Sequence, residues 1–164
     1  MVLVSAHKTK KISQIDEFDR KILNMLSDNG REKLLNIARD IRLSVPSTKA
    51  RIDRLVADGV ITKFTIQVDT EKTGMPIGVH ARIKLKNITE EKQDEFINHL
   101  KKNKNVIDIF SIIGDVDLLL VVIARDSADM NRILFKIRHD FTDLIADWET
   151  NYIMKIYKLE DYSY

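Results

Sequence analysis

Two stretches of the chain carry residues whose types and spacing could do chemistry. The first is Gly114-Asp115-Val116-Asp117, set between the apolar runs 106–113 and 118–124. Two carboxylates beside a glycine allow four readings: an acid–base pair, part of a metal site, a tight turn, or the mouth of a small-molecule pocket. Catalysis and metal binding need further groups nearby. The four histidines (His7, His80, His99, His139) are scattered, none with a second His at ligand spacing, and there is no Cys. No Gly-rich loop opens a helix in the phosphate-binding manner, and there is no Gly-x-Ser-x-Gly. The expectation is no enzyme, no cofactor and no metal. Gly and Asp both favour tight turns. Gly also lets a ligand approach backbone N–H groups, and an Asp can meet an ammonium. On the residues alone the turn and the pocket both stay open.

The second stretch is basic. Along 45–57, Ser47, Lys49, Ala50, Arg51, Asp53 and Arg54 fall off the apolar stripe, with Thr48 at its margin. Small residues near a helix N-terminus let it enter a major groove closely. Arg bonds guanine through two donors or holds phosphate, and Ser or Thr contacts bases or backbone. Arg31, Lys33, Arg39, Arg42 and Lys63 flank this stretch and extend the set of phosphate contacts. Asp53 is expected to pair with a neighbouring Arg. Charge placement agrees: residues 1–63 hold 13 Lys+Arg against 8 Asp+Glu, whereas 64–164 hold 14 against 17. A basic third joined to a mildly acidic remainder points to a polyanion that meets one part only.

The elements that must position these residues follow from periodicity. Ile15, Phe18, Ile22 and Leu26 recur at helical spacing, and Asn29-Gly30 is the expected left-handed stop. Leu34, Ile37, Ala38 and Ile41 form the inner face of a short second helix. In the third, Ser44 caps, Pro46 lies in the first turn, Val45, Ile52, Leu55 and Val56 face inward, and Gly59 stops it. Three short helices with a tight second turn are helix-turn-helix architecture. Residues 60–69 alternate as a strand, and 70–78 gather two Gly and a Pro as a hinge.

From Val79 the order is strand 79–86, helix 89–104, strand 106–113, strand 118–124, helix 126–141 and strand 147–159, with Trp148 as a packing anchor. This is the βαββαβ, ferredoxin-like plan. The fold class is α+β: a helix-turn-helix domain followed by a ferredoxin-like domain. The boundaries are an N-terminal arm at 1–14, a helix-turn-helix domain at 15–63, a linker strand and hinge at 64–78, and a ferredoxin-like domain at 79–164. Leu118–Ile123 has no polar face, so the sheet needs cover on both sides. The two helices supply one side. Leaving several Leu, Val and Ile in water costs roughly 1.5–3 kcal/mol each. A second copy is the economical cover, so a homodimer is expected. Ferredoxin-like sheets also build RNA-binding domains, but those expose aromatics on central strands, and this one is aliphatic. Met1–Lys11 is too short an apolar stretch for a signal or membrane helix, so no membrane partner and a cytoplasmic setting are expected.

The segments "IDEFDRKILNMLSDNGR" (15–31), "IARDIRLSVPSTKARIDRLVADGVI" (37–61) and "IIGDVDLLLVV" (112–122), in this order, resemble the Lrp/AsnC (feast/famine) transcriptional regulators over residues 12–160. The resemblance implies a winged helix-turn-helix domain at 15–63 with its recognition helix at 45–57, and a sensing and dimerisation domain at 79–164; the residues read as DNA-binding are Ser47, Thr48, Lys49, Arg51, Arg54, Arg31, Lys33 and Arg42. It implies binding to double-stranded DNA at AT-rich imperfect palindromes, dimers that associate to tetramers or octamers, and an amino-acid effector. By position, the effector pocket comprises Gly114, Asp115, Asp117, Thr150 and Tyr152. The sequence departs from the family pattern at Val45, which separates the capping Ser44 from Pro46, at Val116, where an aromatic is common, and at Asn151-Tyr152, where small hydroxyls are usual. The alternatives are a DNA-binding architectural regulator without effector and an RNA-binding ferredoxin-like protein.

Overall fold

In the computed structural model, residues 14–159, 162 and 164 are described. The expected arm, with Lys8, Lys10 and Lys11, lies outside the described residues apart from Gln14. The chain forms two compact units. One comprises the chain up to Gln67 with the segment from Lys158 onward, and the other is Val68–Tyr157.

The first unit is built on α1 (Glu17–Asp28), α2 (Leu34–Asp40) and α3 (Val45–Ala57). Their apolar faces meet in a core of Ile22, Leu23, Ile37, Ile41 and Leu55. Asp16 starts α1 with a reciprocal cap: its carboxylate accepts the Asp19 N–H, and the Asp19 carboxylate accepts the Asp16 N–H. Ser44 starts α3 by accepting from the Ser47 N–H at 3.2 Å. The end of α1 differs from expectation. Asn29 is extended, at φ −139°, rather than left-handed. Its own side chain closes the turn, with Oδ1 accepting from the Arg31 N–H and Nδ2 donating to Glu32.

The other two helices end alike. The Val60 N–H reaches the Leu55 carbonyl at 2.9 Å, with Gly59 left-handed at φ 71°. The Leu43 N–H reaches the Ala38 carbonyl at 2.9 Å, with Arg42 at φ 58° in the same role. Glycine occupies such a position without strain; arginine costs roughly 1–2 kcal/mol there. The strand expected over 60–69 does not form. A strand exists through its neighbour's hydrogen bonds, and no described residue supplies a ladder to this segment. Phe64, Ile66 and Val68, its apolar alternation, are left exposed.

The second unit has β1 (Ile77–Leu85), α4 (Glu90–Lys102), β2 (Val106–Ser111), β3 (Leu118–Ala124), α5 (Ser127–Asp140) and β4 (Ile145–Tyr152). The sheet order is β2-β3-β1-β4, with every neighbouring pair antiparallel. This is the ferredoxin-like plan. Val79, Ala81 and Ile83 of β1 and Leu118, Leu120 and Val122 of β3 pack with Phe96, Leu100, Met130 and Ile137 of the helices. Alternation places Leu119, Val121 and Ile123 on the reverse face, where they are half-buried. The final strand runs over Ile145–Tyr152 rather than 147–159; its last pair with β1 is Tyr152 opposite Val79, followed by one bond from the Ile153 N–H to the Gly78 carbonyl at 2.9 Å.

Candidate functional site

The outer face of α3 is held from behind by a buried carboxylate. Asp19, on α1, is fully buried. It accepts from Arg51 Nη1 at 2.9 Å and from Arg54 Nη2 at 2.5 Å. Arg51 also donates to Asp16 at 2.7 Å and lies over the Phe18 ring, 5.2 Å from its centroid. The Asp19 N–H, with help from the Arg51 guanidinium, holds the Asp16 carboxyl below the usual carboxylate range. The bond to Asp16, reinforced by Asp19, pushes Arg51 further up. This network fixes where α3 sits against α1. Sequence reasoning missed Asp19. Its signal was the Asp16-x-x-Asp19 spelling at a helix start, with a basic helix following.

The expected DNA-binding residues divide into groups. Ser47, Lys49 and Ala50 are exposed on α3. The Ser47 hydroxyl lies 2.7 Å from that of Ser44, and Lys49 pairs with Asp53 along the helix. Asp53 thus takes a Lys, not an Arg. Arg54 keeps about half its side chain exposed (47%), so it presents free donors while anchored to Asp19. Arg51 is more enclosed, at 26%. Thr48 requires correction: it is fully buried and its hydroxyl donates back to the Ser44 carbonyl, so it supports the first turn and faces no groove. Arg31, Lys33 and Arg42 are exposed and make no ion pair with described residues.

The loop after β2 behaves differently. Gly114 adopts φ +155°, which side-chain-bearing residues rarely take, and open space surrounds the position a Cβ would fill. Asp115 is exposed. Asp117 is engaged: Oδ2 accepts the Leu85 N–H at 2.7 Å and lies 3.6 Å from Lys84 Nζ. Its own N–H donates to the Ile83 carbonyl at 2.9 Å. Asp117 therefore staples the loop to β1. Thr150 and Tyr152 are on β4, opposite Ala81 and Val79 on the helix-facing side. Asp117, next to Lys84, belongs to the reverse side. With β1 between β3 and β4, one chain does not gather these five residues into a pocket. Among the described residues no three His, Asp or Glu side chains are placed to share a metal, and no helix is long and apolar enough to cross a membrane.

Comparison with known proteins matches both units. Residues 15–62 fit the family described as winged helix-turn-helix DNA-binding, and residues 79–162 fit the Lrp/AsnC ligand binding domain. The chain is similar to the proline dehydrogenase transcriptional activator of Rhizobium radiobacter, at 33% identity over 80% of this chain and 83% of that one. It is also similar to the HTH-type transcriptional regulator LysM of Saccharolobus solfataricus, at 28% over 77% and 85%. An AsnC family regulator from Agrobacterium tumefaciens has a similar structure, with a TM-score of 0.81 at 25% identity over 88% and 94% of the two chains. A transcriptional regulator from Neisseria meningitidis, solved as a complex with L-Met, shares the fold at TM-score 0.81 and 19% identity, over 89% and 94%.

Proposed function

The chain belongs to the Lrp/AsnC family of transcriptional regulators, and from that premise we propose that it acts as a cytoplasmic homodimer which reads duplex DNA with α3 and tunes that binding to an amino acid. The observation that carries this reading is the construction of α3. Small residues occupy its exposed N-terminal half, and its two arginines are braced by a buried aspartate. Arg31, Lys33 and Arg42 add exposed cations that form no ion pair with described residues. Residues 15–63 serve as the reader, 64–78 as the linker, and 79–164 as the sensing and assembly domain.

The reverse face of the sheet, with Leu119, Val121 and Ile123, is the surface a second copy covers. A two-fold dimer sets its two α3 helices in successive major grooves, about 34 Å apart, on an imperfect palindrome. The L-Met complex of the Neisseria protein supports an amino acid as effector. Gly114 and Asp115 offer it backbone N–H groups and a carboxylate, which complement the two charges of a free amino acid. Because one chain leaves Thr150 and Tyr152 away from this loop, the pocket is completed by assembly with another copy. The effector then shifts DNA binding by preferring one assembly over another.

A gel-shift titration with duplex from the protein's own upstream region tests the DNA reading. Binding that weakens steeply with salt is expected. No retardation of duplex with retention of single-stranded RNA would contradict it. Sedimentation at micromolar concentration should give a dimer or larger, and a monomer would sink the assembly. A thermal-shift screen of the amino acids should find one that raises Tm. No response to any of them would leave a DNA-binding regulator without an amino-acid effector.

A further inference from the structure

Between the last turn of α4 and α5 lies a cleft of about 370 Å³, lined by no residue of the β2–β3 loop. Lys102, Lys104, Arg132 and Lys136 line it, over a floor of Ile133 and Ile137. Among the described residues no carboxylate side chain lines it. This concentration of cations runs against the local trend, since residues 64–164 carry more acids than bases. The negative end of the α4 dipole accounts for Lys101 and Lys102 in its last turn. It does not account for Lys104, which lies beyond the helix, or for Lys136 on α5. Arg132 is held by Asp129, whereas Lys102, Lys104 and Lys136 make no ion pair with described residues. Three lysines and an arginine around one concavity, of which only the arginine is paired with an acid among the described residues, complement a ligand of several negative charges. The volume falls within the range of small-molecule sites, roughly 300–1,000 Å³.

Beside these cations α5 exposes an aromatic pair. Phe135 and His139 stack at 5.7 Å with an interplanar angle of 7°, and Phe135 is 69% exposed. On the helix surface they neighbour Arg132 and Lys136, at spacings of three. A flat aromatic next to a cationic cleft is the pairing that receives a base and its phosphates.

We propose that the α4–α5 cleft binds a nucleoside polyphosphate, with Lys102, Lys104, Arg132 and Lys136 holding the phosphates and Phe135 receiving the base. This gives the sensing domain a second input, separate from the amino-acid pocket and independent of whether that pocket exists.

Isothermal titration of the full chain tests it, using ATP, tripolyphosphate and adenosine without divalent metal and at fixed ionic strength. ATP and tripolyphosphate should bind saturably, and adenosine weakly or not at all. The Lys104→Gln/Lys136→Gln double variant should lose at least tenfold in affinity for both anions while keeping its Tm and its DNA affinity. Phe135→Ala should weaken ATP severalfold and leave tripolyphosphate unchanged. Unchanged ATP affinity in the double variant would overturn the proposal. So would an absence of saturable binding, or a double variant whose only defect is weaker DNA binding, which would make the cleft a DNA contact.

Discussion

Two helices in different units, α1 and α5, open with the same Asp-x-x-Asp spelling, and in both the second aspartate is buried between two arginines. Asp16 and Asp126 cap their helices by accepting the N–H three residues on. The difference lies in where the arginines come from. Asp129 takes Arg125 and Arg132, four and three residues away on its own segment. Asp19 takes Arg51 and Arg54, 32 and 35 residues away on another helix. The first network stays within its own segment and finishes the start of α5. The second fixes the position of the helix proposed to read DNA. One local grammar thus serves either to terminate an element or to orient a functional one, depending on whether its partners are near or far in sequence.

The largest break in that comparison is Asp19→Ala. It strands Arg54, leaves Arg51 with Asp16 alone and should cost about 3 kcal/mol, the lower end for breaking a buried pair because Arg51 keeps one acid and Arg54 still meets water. Urea denaturation and DNA titration should both register it. Asp129→Ala should leave DNA affinity unchanged; a matching loss there would erase the distinction between the two networks.

Next is Asp117→Ala, which removes the acceptor of the Leu85 N–H and should cost roughly 1–2 kcal/mol. Asp115→Ala should leave stability unchanged and abolish the amino-acid response. If both variants keep that response, the loop is only a turn. Arg42→Gly sharpens the role of the reader from the opposite direction. Relief of the left-handed strain should stabilise the fold by about 1 kcal/mol, while loss of the cation weakens DNA binding. A variant that gains stability and keeps full affinity would remove Arg42 from the interface.

The smallest effect is in acid. Hydrogen bonds from Arg125 and Arg132 hold Asp129 at about 2, below its ordinary 3.8. A depressed carboxylate contributes stability that is complete above pH 3.8 and is lost as the pH falls through about 2. Asp129→Asn should therefore flatten the decline in Tm across that window, and an unchanged slope would refute the assignment.

What the sequence disclosed followed the same divide between near and far. The cap at Ser44 and the helix stop at Gly59 depend on neighbours within a few residues, and they were legible. The left-handed Arg42 was not, because nothing in its residue type asks for that conformation. Residues 60–69 carried a strand's alternation, but alternation cannot supply the neighbour that makes a strand. Thr48 was placed at the helix margin, one step of the wheel from its true inward direction. Asp19's partners lay on another helix, and so did the reason for its burial. For the β2–β3 loop the sequence named the residues, yet whether they meet Thr150 and Tyr152 depends on the strand order, and within one chain β1 stands between β3 and β4.

The central claim is that the exposed face of α3 reads duplex DNA from a rigid mount. Ala50 lies on that face and is exposed, so Ala50→Glu should leave the fold intact while placing a carboxylate where phosphates and base edges arrive. Fluorescence anisotropy with the upstream duplex should show at least a hundredfold loss of affinity at unchanged Tm. Affinity equal to that of the parent protein would contradict the account.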